Sequence, residues 1–223
     1  FGLSNLDVLF NVHVDATVED VLDGRAGIAE ALVGIEQNLW LIPAGSGRSV
    51  RWDPGLKLGE RVRALVDASP LEMDIILIDT GAGLSAQVLG IHGAGVCSVI
   101  VVTPEPTALM DAYGLIKLLE RDSGVRAAAV IVNQVSEAAE GQRAFTRLND
   151  VAEKFMDVEL HYAGHWERDP YVSRAVMKRA SLWDVHPESA SLISLEALGA
   201  LFGPQIENNI SIAAGPRMVS LCE

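Results

Sequence analysis

Two patterns of hydrophobic and polar positions alternate along the chain and predict a layered α/β fold. Apolar runs without polar alternation are typical of strands covered on both faces. They cover residues 74–78, 96–102 and 127–132. Apolar side chains at helical spacing cover residues 58–68, 107–121 and 141–155. Because strands and helices alternate, we expect a three-layer fold with a mostly parallel sheet and helices on both faces.

The flanking segments complete this pattern. We predict short helices at residues 5–12 and after Thr17, where a capping box begins, strands at 38–42 and 158–163, and helices at 170–179 and 189–201. No repeat or internal linker is visible, so residues 1–203 are expected to form a single domain. Residues 204–223 lack periodicity and are expected to form a loose tail.

Composition narrows the class of protein. The chain has 223 residues, 49% of them hydrophobic, and a net charge of −13, which disfavours direct contact with a nucleic-acid backbone. The two cysteines, Cys97 and Cys222, are far apart, so a disulfide framework is not expected and a cytoplasmic location fits. No apolar run is long enough to span a bilayer. Only Arg217 is basic after Pro204, so we expect no membrane contact through a basic tail helix.

Candidate chemistry lies where the predicted strands end. Asp79 ends one strand, Thr103-Pro104-Glu105-Pro106-Thr107 follows the next, Asn133 follows the third and Asp169 comes after the fourth. The carboxyl ends of parallel strands meet at one edge of a sheet, where open α/β folds bind ligands. We therefore expect these side chains to converge on one crevice.

Four of these residues also have a purely structural interpretation. Asp79 and Asn133 are of residue types that are common in turns, and Glu105 and Thr107 lie where the following helix would be capped. For Glu105 and Thr107, capping and ligand contact are left as equal alternatives. The hypothesis of a ligand site therefore depends on the convergence and not on any single residue.

Four segments resemble the MinD/ParA family of P-loop ATPases, and within it the group that regulates flagellar number, FlhG or FleN. They are Phe1-Gly2-Leu3-Ser4-Asn5-Leu6-Asp7-Val8-Leu9, Ile42-Pro43-Ala44-Gly45-Ser46-Gly47, Asp79-Thr80-Gly81-Ala82-Gly83-Leu84-Ser85 and Thr103-Pro104-Glu105-Pro106-Thr107-Ala108-Leu109-Met110-Asp111-Ala112-Tyr113. The resemblance covers about residues 1–201. It implies that residues 1–203 are an ATPase-type domain of P-loop fold without its first strand and helix.

The resemblance also implies roles for individual residues, with ATP and Mg²⁺ as cofactors. Asp79 matches the acid that holds Mg²⁺, Gly83 the switch glycine, and Asn5 the asparagine beside a second switch region. Asn133 matches the residue that reads adenine. Pro104, Glu105 and Asp169 fall in segments that bind the nucleotide, with Asp169 in the segment that closes over the base.

In such proteins ATP drives a homodimer, hydrolysis dissolves it, and partners read the dimeric state. The partners implied are a flagellar SRP-type GTPase, a flagellar transcription activator or switch-complex proteins, with recruitment of the full-length protein to the cell pole. Cell division and DNA partition remain alternative roles. A catalytically inactive interaction module of the same fold also remains open.

Two departures from the family pattern affect these expectations. The family's Gly-Lys-Gly-Gly-x-Gly-Lys-Thr loop precedes the segment at which this sequence begins, and Gly45-Ser46-Gly47-Arg48-Ser49 does not replace it. We therefore expect these 223 residues to bind ATP weakly and not to hydrolyse it. Where the family has proline two residues before the Asp169-type acid, this chain has Glu167, which puts the adenine contact in question.

Two rival interpretations fit less well. Residues 81–86 match the G-x-G-x-x-A fingerprint of dinucleotide-binding oxidoreductases, but Asp79 would bring a negative charge next to the pyrophosphate. A metal hydrolase based on His161 and His165 lacks an obvious third ligand, and the two residues fall on a predicted strand and loop instead of a helix.

Overall fold

The structure, a computed structural model, describes residues 5–45, 58–80, 86–92, 96–201 and 217–222. The described helices are α1 Leu6–Phe10, α2 Val18–Leu22, α3 Ile28–Ala31, α4 Leu58–Asp67, α5 Ala86–Ile91, α6 Pro106–Ser123, α7 Ala138–Phe155, α8 Pro170–Lys178, α9 Leu182–Val185 and α10 Ala190–Leu201. The described strands are β1 Val33–Glu36, β2 Leu39–Leu41, β3 Ile75–Asp79, β4 Val96–Val102, β5 Ala127–Val135, β6 Glu159–Glu167 and β7 Arg217–Cys222.

Five of these strands form one parallel sheet in the order β3-β7-β4-β5-β6. The last strand in the sequence, β7, lies between β3 and β4 and pairs with both. The prediction of a loose tail is therefore wrong for Arg217–Cys222. Local periodicity could not reveal this strand, because it is short and its partners lie more than a hundred residues away in sequence.

The first face of the sheet carries most of the core. Ile100, Val130 and Val132 are buried there against α6 and α7. Ile78 and Met218 continue the same face under α4 and α5, where they pack with Val62 and Ile91. Alternate residues of each strand point to this face, since register pairs such as Ile78 with Ser220 and Ile100 with Val130 stand side by side.

The second face is covered by α10 over part of its width. Leu198 of α10 packs against Val99, Ile131 and Val219. Helices on both faces confirm the predicted three-layer α/β class. On β3, however, the Leu77 side chain is 61% exposed. The expectation that this strand is covered on both faces is wrong for the described residues, because β3 is an edge strand of the described sheet and α10 packs farther along.

Residues 33–41 form a small hairpin outside the main sheet. The strand predicted at 38–42 is found as β2, but it pairs antiparallel with β1, which the sequence analysis missed. Asn38 at the turn has φ 64°, a left-handed conformation that Asn tolerates better than most residues. Helix α2, which precedes the hairpin in sequence, begins with the predicted capping box of Thr17 and Asp20.

Candidate functional site

The carboxyl ends of the five parallel strands form one edge, and most of the predicted site residues lie along it. In spatial order the edge presents Asp79 at the end of β3, Cys222 at the end of β7, Thr103 after β4, Asn133 near the end of β5 and Asp169 after β6. The strand ends therefore lie along one edge of the sheet, as expected. The structure adds that β7 separates Asp79 from the other members.

Asp79 is held at the edge by its neighbour. The Thr80 backbone N–H and side-chain hydroxyl both donate to the Leu221 carbonyl of β7, at 3.1 and 2.6 Å. Thr80 is buried and Asp79 is exposed on the second face of the sheet. The acid therefore points away from the core at a fixed position, as a residue that contacts a ligand would.

Glu105 belongs to a polar bridge between strand ends. It stands at the cap position of α6, but its side chain makes no capping hydrogen bond. A hydrogen bond from the Thr103 side chain, with the Arg168 charge nearby, lowers the pKa of the Glu105 carboxyl. Arg168 lies 3.5 Å from that carboxylate and donates from Nε to the Gln134 carbonyl at 3.0 Å. The helix-capping alternative is therefore wrong for the Glu105 side chain.

Asn133 lies at a break in the register between β5 and β6. Its Oδ1 accepts a hydrogen bond from the Gln134 N–H at 2.8 Å, and Gln134 has φ 58°. The Asn133 side chain is half-buried, and its Nδ2 donates to no group in the described part of the chain. An amide fixed through its oxygen, with its nitrogen still able to donate, is suited to reading a heteroaromatic base.

Asp169 has a structural role in this arrangement. Its Oδ1 caps α8 by accepting from the Tyr171 N–H at 2.8 Å, and its Oδ2 accepts from the Ser191 hydroxyl at 3.0 Å and from the Ser189 hydroxyl. These hydrogen bonds, with Ser189 as the largest cause, lower the pKa of the Asp169 carboxyl. Asp169 therefore ties α8 and the beginning of α10 to the end of β6.

The remaining predicted site residues are Asn5, Pro104 and Gly83. Asn5 precedes α1, is exposed and makes no capping hydrogen bond with its side chain. Pro104 lies half-buried in the turn between β4 and α6. Gly83 and the rest of the 81–85 loop lie outside the described residues, as does most of the oxidoreductase fingerprint.

The donor groups fit a nucleotide with Mg²⁺. Mg²⁺ takes oxygen ligands and is usually held by one or two carboxylates, with waters and substrate phosphates completing the shell. The exposed Asp79 carboxylate at a strand end is an oxygen donor of this kind. No cluster of three or more His, Cys, Asp or Glu that could hold a metal by itself occurs among the described residues. His161 and His165 therefore have no third ligand there, which leaves the hydrolase interpretation without support.

Two polar groups, Arg168 at this edge and His92 against the sheet, were not predicted from the sequence. Arg168 stood next to Asp169 in the sequence but gave no signal of its own. His92, at the end of α5, shares hydrogen bonds with Ser98 at 2.7 Å and with Ser220 at 3.3 Å, and lies 3.3 Å from the Cys222 sulfur. Burial lowers the pKa of His92 to about 4 and raises that of the Cys222 thiol to about 12. This His92 cluster therefore carries no charge at neutral pH.

Two further observations concern membranes and families. Within the described ranges, no helix combines the length and the apolar character needed to cross a bilayer. No family model matches the chain.

Similar proteins are nevertheless found. The antiactivator FleN of Pseudomonas aeruginosa is 33% identical over 199 residues, which are 88% of this chain and 70% of FleN. The flagellum site-determining protein YlxH of Helicobacter pylori is 33% identical over 210 residues, 92% of this chain and 70% of YlxH. The septum site-determining protein MinD of Synechocystis is 34% identical over 139 residues, 60% of this chain and 50% of that protein.

Solved structures share the fold. The cell division ATPase MinD of Pyrococcus furiosus superposes with a TM-score of 0.66 at 21% identity, over 94% of this chain and 83% of that one. The septum site-determining protein MinD of Pyrococcus horikoshii, complexed with Mg-ADP, superposes with a TM-score of 0.67 at 22% identity, over 95% of this chain and 83% of that one.

Proposed function

The chain belongs to the MinD/ParA family of ATPases, in the group of FleN and YlxH, and from this premise we propose that it is part of an ATP-dependent switch that controls flagellar number or placement. The observation that carries the proposal is the polar edge of the sheet, where Asp79, Glu105 and Asn133 lie on successive strand ends apart from the inserted β7. The flagellar role is favoured over cell division because FleN and YlxH match about nine-tenths of the chain and MinD of Synechocystis only 60%.

In this proposal each residue contributes through position or charge. Asp79 holds the Mg²⁺ that neutralises phosphate charge, and Thr80 fixes the acid by its two hydrogen bonds to Leu221. Asn133 donates from Nδ2 to the adenine, while Pro104 and Glu105 form the neighbouring wall with Arg168. Gly83 and Asn5 belong to segments that respond to the terminal phosphate. Asp169 supports the wall by capping α8.

Dimerisation and partners belong to the same proposal. A homodimer that forms with ATP and separates after hydrolysis would give partners two states to distinguish. The candidate partners are the ones that the family resemblance implies: a flagellar SRP-type GTPase, a flagellar transcription activator and switch-complex proteins. We propose that the protein meets them in the cytoplasm and at the cell pole.

Residues 1–223 alone are proposed to lack ATPase activity. The sequence contains no Gly-Lys pair and therefore no phosphate-binding loop of the G-x-x-x-x-G-K-[ST] type. Without the backbone N–H groups and the lysine of such a loop, the edge described above would contact base and metal but not cradle the phosphates.

The test is to fuse the FleN segment that carries a phosphate-binding loop to the beginning of this chain and to measure phosphate release. We expect the fusion to hydrolyse ATP and the chain alone to show no turnover above buffer. Asp79→Asn in the fusion should lower kcat by about 100-fold or more, as loss of a charge-stabilising group does elsewhere. Asp150→Asn, an exposed residue on α7, is the matched control and should leave kcat unchanged.

Each outcome decides between the candidates. Turnover by the unfused chain would contradict the proposed dependence on an added loop. A fusion that folds and binds Mg-ATP without turnover would favour the catalytically inactive interaction module. A fusion that binds no nucleotide would overturn the assignment of the polar edge as a nucleotide site.

A further inference from the structure

Helix α8 differs in charge from the rest of the molecule. The chain carries a net charge of −13, yet residues 170–179 contain Arg174, Lys178 and Arg179 and no acid. All three side chains are exposed, and none of them forms an ion pair within the described part of the chain. Their only described contacts are Arg174 over the Tyr171 ring at 4.9 Å and Arg179 with Asn11 at 3.5 Å. The helix is therefore a basic strip on an acidic protein.

The same helix exposes apolar side chains. Val172 is 42% exposed, Val176 49% and Met177 84%. Val172 and Val176 are four residues apart, so they lie one above the other on the same flank of the helix. Only Ala175 of α8 is buried. At 3.6 residues per turn, Arg174 and Lys178 fall on the other exposed flank, and Met177 lies between the two flanks. We call the exposed surface formed by Val172, Val176, Met177 and the three cations the α8 face.

The α8 face is held in place before any partner arrives. The Asp169 carboxylate caps the helix, and the Tyr171 ring packs against His186 with the ring centroids 3.7 Å apart and the ring planes at 42°. At the other end, Arg179 has a left-handed conformation, and its N–H donates to the Val176 carbonyl at 3.1 Å. A surface that is already ordered loses little conformational entropy on binding, which favours its use for recognition.

The chemistry of the α8 face favours one kind of binding partner. The valine flank, with its i, i+4 spacing, is suited to the apolar side of a partner helix that lies along α8 over Met177. The cations on the opposite flank are suited to carboxylates on the other side of that helix. A second copy that met this face with its own α8 would bring three cations from each chain together, so a symmetric contact is disfavoured. We propose that the α8 face binds an acidic amphipathic helix of another protein.

This inference goes beyond the nucleotide switch and does not depend on it. The probe is a fluorescent helical peptide with leucines on one face and glutamates on the others. It is titrated with the chain at about 0.15 M salt, where charges separated by more than about 8 Å are largely screened and close ion pairs still contribute. We expect saturable binding by fluorescence anisotropy. The matching peptide with lysine in place of glutamate should not bind.

Variants separate the two components of the face. Arg174→Glu with Lys178→Glu should weaken binding by about tenfold or more, and Val172→Ser with Val176→Ser by about fivefold. The matched control is Arg147→Glu with Lys154→Glu on α7, which makes the same change in net charge at exposed positions and should alter binding by less than about twofold. Circular dichroism of each variant should show an unchanged fold.

Several results would overturn the proposal. These are no binding of the acidic peptide, equal binding of the lysine peptide, or equal loss in the α7 control. Binding to vesicles of mixed neutral and anionic lipid that only the α8 variants lose would identify a membrane surface instead. A dimer of the chain that the α8 variants dissociate would identify a second copy as the occupant.

Discussion

The two ends of the parallel sheet are built in different ways. At the β5–β6 end, neighbouring strands follow each other in the sequence, and Val130, Val132 and Val135 are fully buried among apolar side chains. At the β3–β7 end, a strand pairs with one from the far end of the chain, and Thr80 and Leu221 are joined across 141 positions. The first end is determined by local sequence and the second by a distant pairing.

The cores of the two ends also differ in polarity. The His92 cluster lies at the β3–β7 end, where His92 and Ser98 share a hydrogen bond and Ser220 and Cys222 contact the same imidazole. Buried polar groups stabilise only while their hydrogen bonds are kept. With β3 also exposing Leu77, we expect this end to open before the β5–β6 end does.

The largest expected effect comes from a charge in β7. Val219→Asp should lower the free energy of unfolding at the β3–β7 end by about 3–5 kcal/mol, because an unpaired carboxylate would be buried against Val99 and Ile131. Hydrogen exchange should show lost protection in β3 and β4 and retained protection between β5 and β6. Val132→Asp, the matched change at the other end, should unfold the whole chain. If Val219→Asp removes protection everywhere, the two ends are a single cooperative unit.

Acid should weaken the same end through His92. Its pKa is about 4 in the folded chain against an ordinary 6.5, so the unfolded chain binds more protons between these values. The free energy of unfolding should therefore fall by about 3 kcal/mol as the pH drops from 6.5 to 4, apart from the effect of other groups. Urea unfolding at several pH values measures this. His92→Gln should be less stable at pH 7 but should lose that part of the pH dependence. An unchanged slope would mean that His92 is not responsible.

A smaller effect is expected where a cap organises the β6–α8 connection. Asp169→Ala should lower the free energy of unfolding by about 2 kcal/mol, because it removes the cap of α8 and leaves the Ser189 and Ser191 hydroxyls buried without their acceptor. Asp169→Asn, which keeps one acceptor oxygen, should lose about half as much. Thermal unfolding compares the two with Asp150→Ala, an exposed control expected to be neutral. Equal loss in both Asp169 variants would indicate that the charge, and not the hydrogen-bond geometry, stabilises this connection.

The smallest expected effect is a difference in the alkylation rates of the Cys97 and Cys222 thiols, which report local opening of the sheet. Both are buried, and burial raises the pKa of each, so alkylation requires opening. In single-thiol variants made with Cys97→Ala or Cys222→Ala, the Cys222 thiol should react about tenfold faster than the Cys97 thiol, which corresponds to about 1.4 kcal/mol. Mass spectrometry over time gives both rates. Equal rates would show that β7 does not separate from β4 on its own.

Much of the fold could be predicted because its signals are local. The capping box at Thr17, the apolar strand at Val96–Val102 and the long helix at Pro106–Ser123 depend on residues a few positions apart. The same is true of the strand ends, since a polar residue after an apolar run marks the carboxyl edge wherever the strand finally lies. Asp79, Glu105 and Asn133 were therefore predicted at the correct edge.

The uses to which these side chains are put could not be predicted in this way. The hydrogen bonds that the Asp169 carboxylate accepts from α8 and from serines about twenty residues later were not predicted. Nothing in the local pattern indicated that Arg168 would join Glu105 to the Gln134 carbonyl. Side-chain partners that are distant in sequence are set by packing, which leaves no periodic signal.

The sequence by itself determined the α/β class, the family and the polar residues at the strand ends, because each depends on short-range periodicity or on motifs read residue by residue. Only the tertiary structure decided that β7 enters the sheet between β3 and β4 and that the His92 cluster lies beside it. The physical reason is that strand pairing depends on backbone hydrogen bonds and burial. Many short apolar segments can make these interactions, so a local pattern does not identify the partner strands. The position of β7 therefore depends on its fit to β3 and β4, which are distant in sequence, and not on its own residues alone.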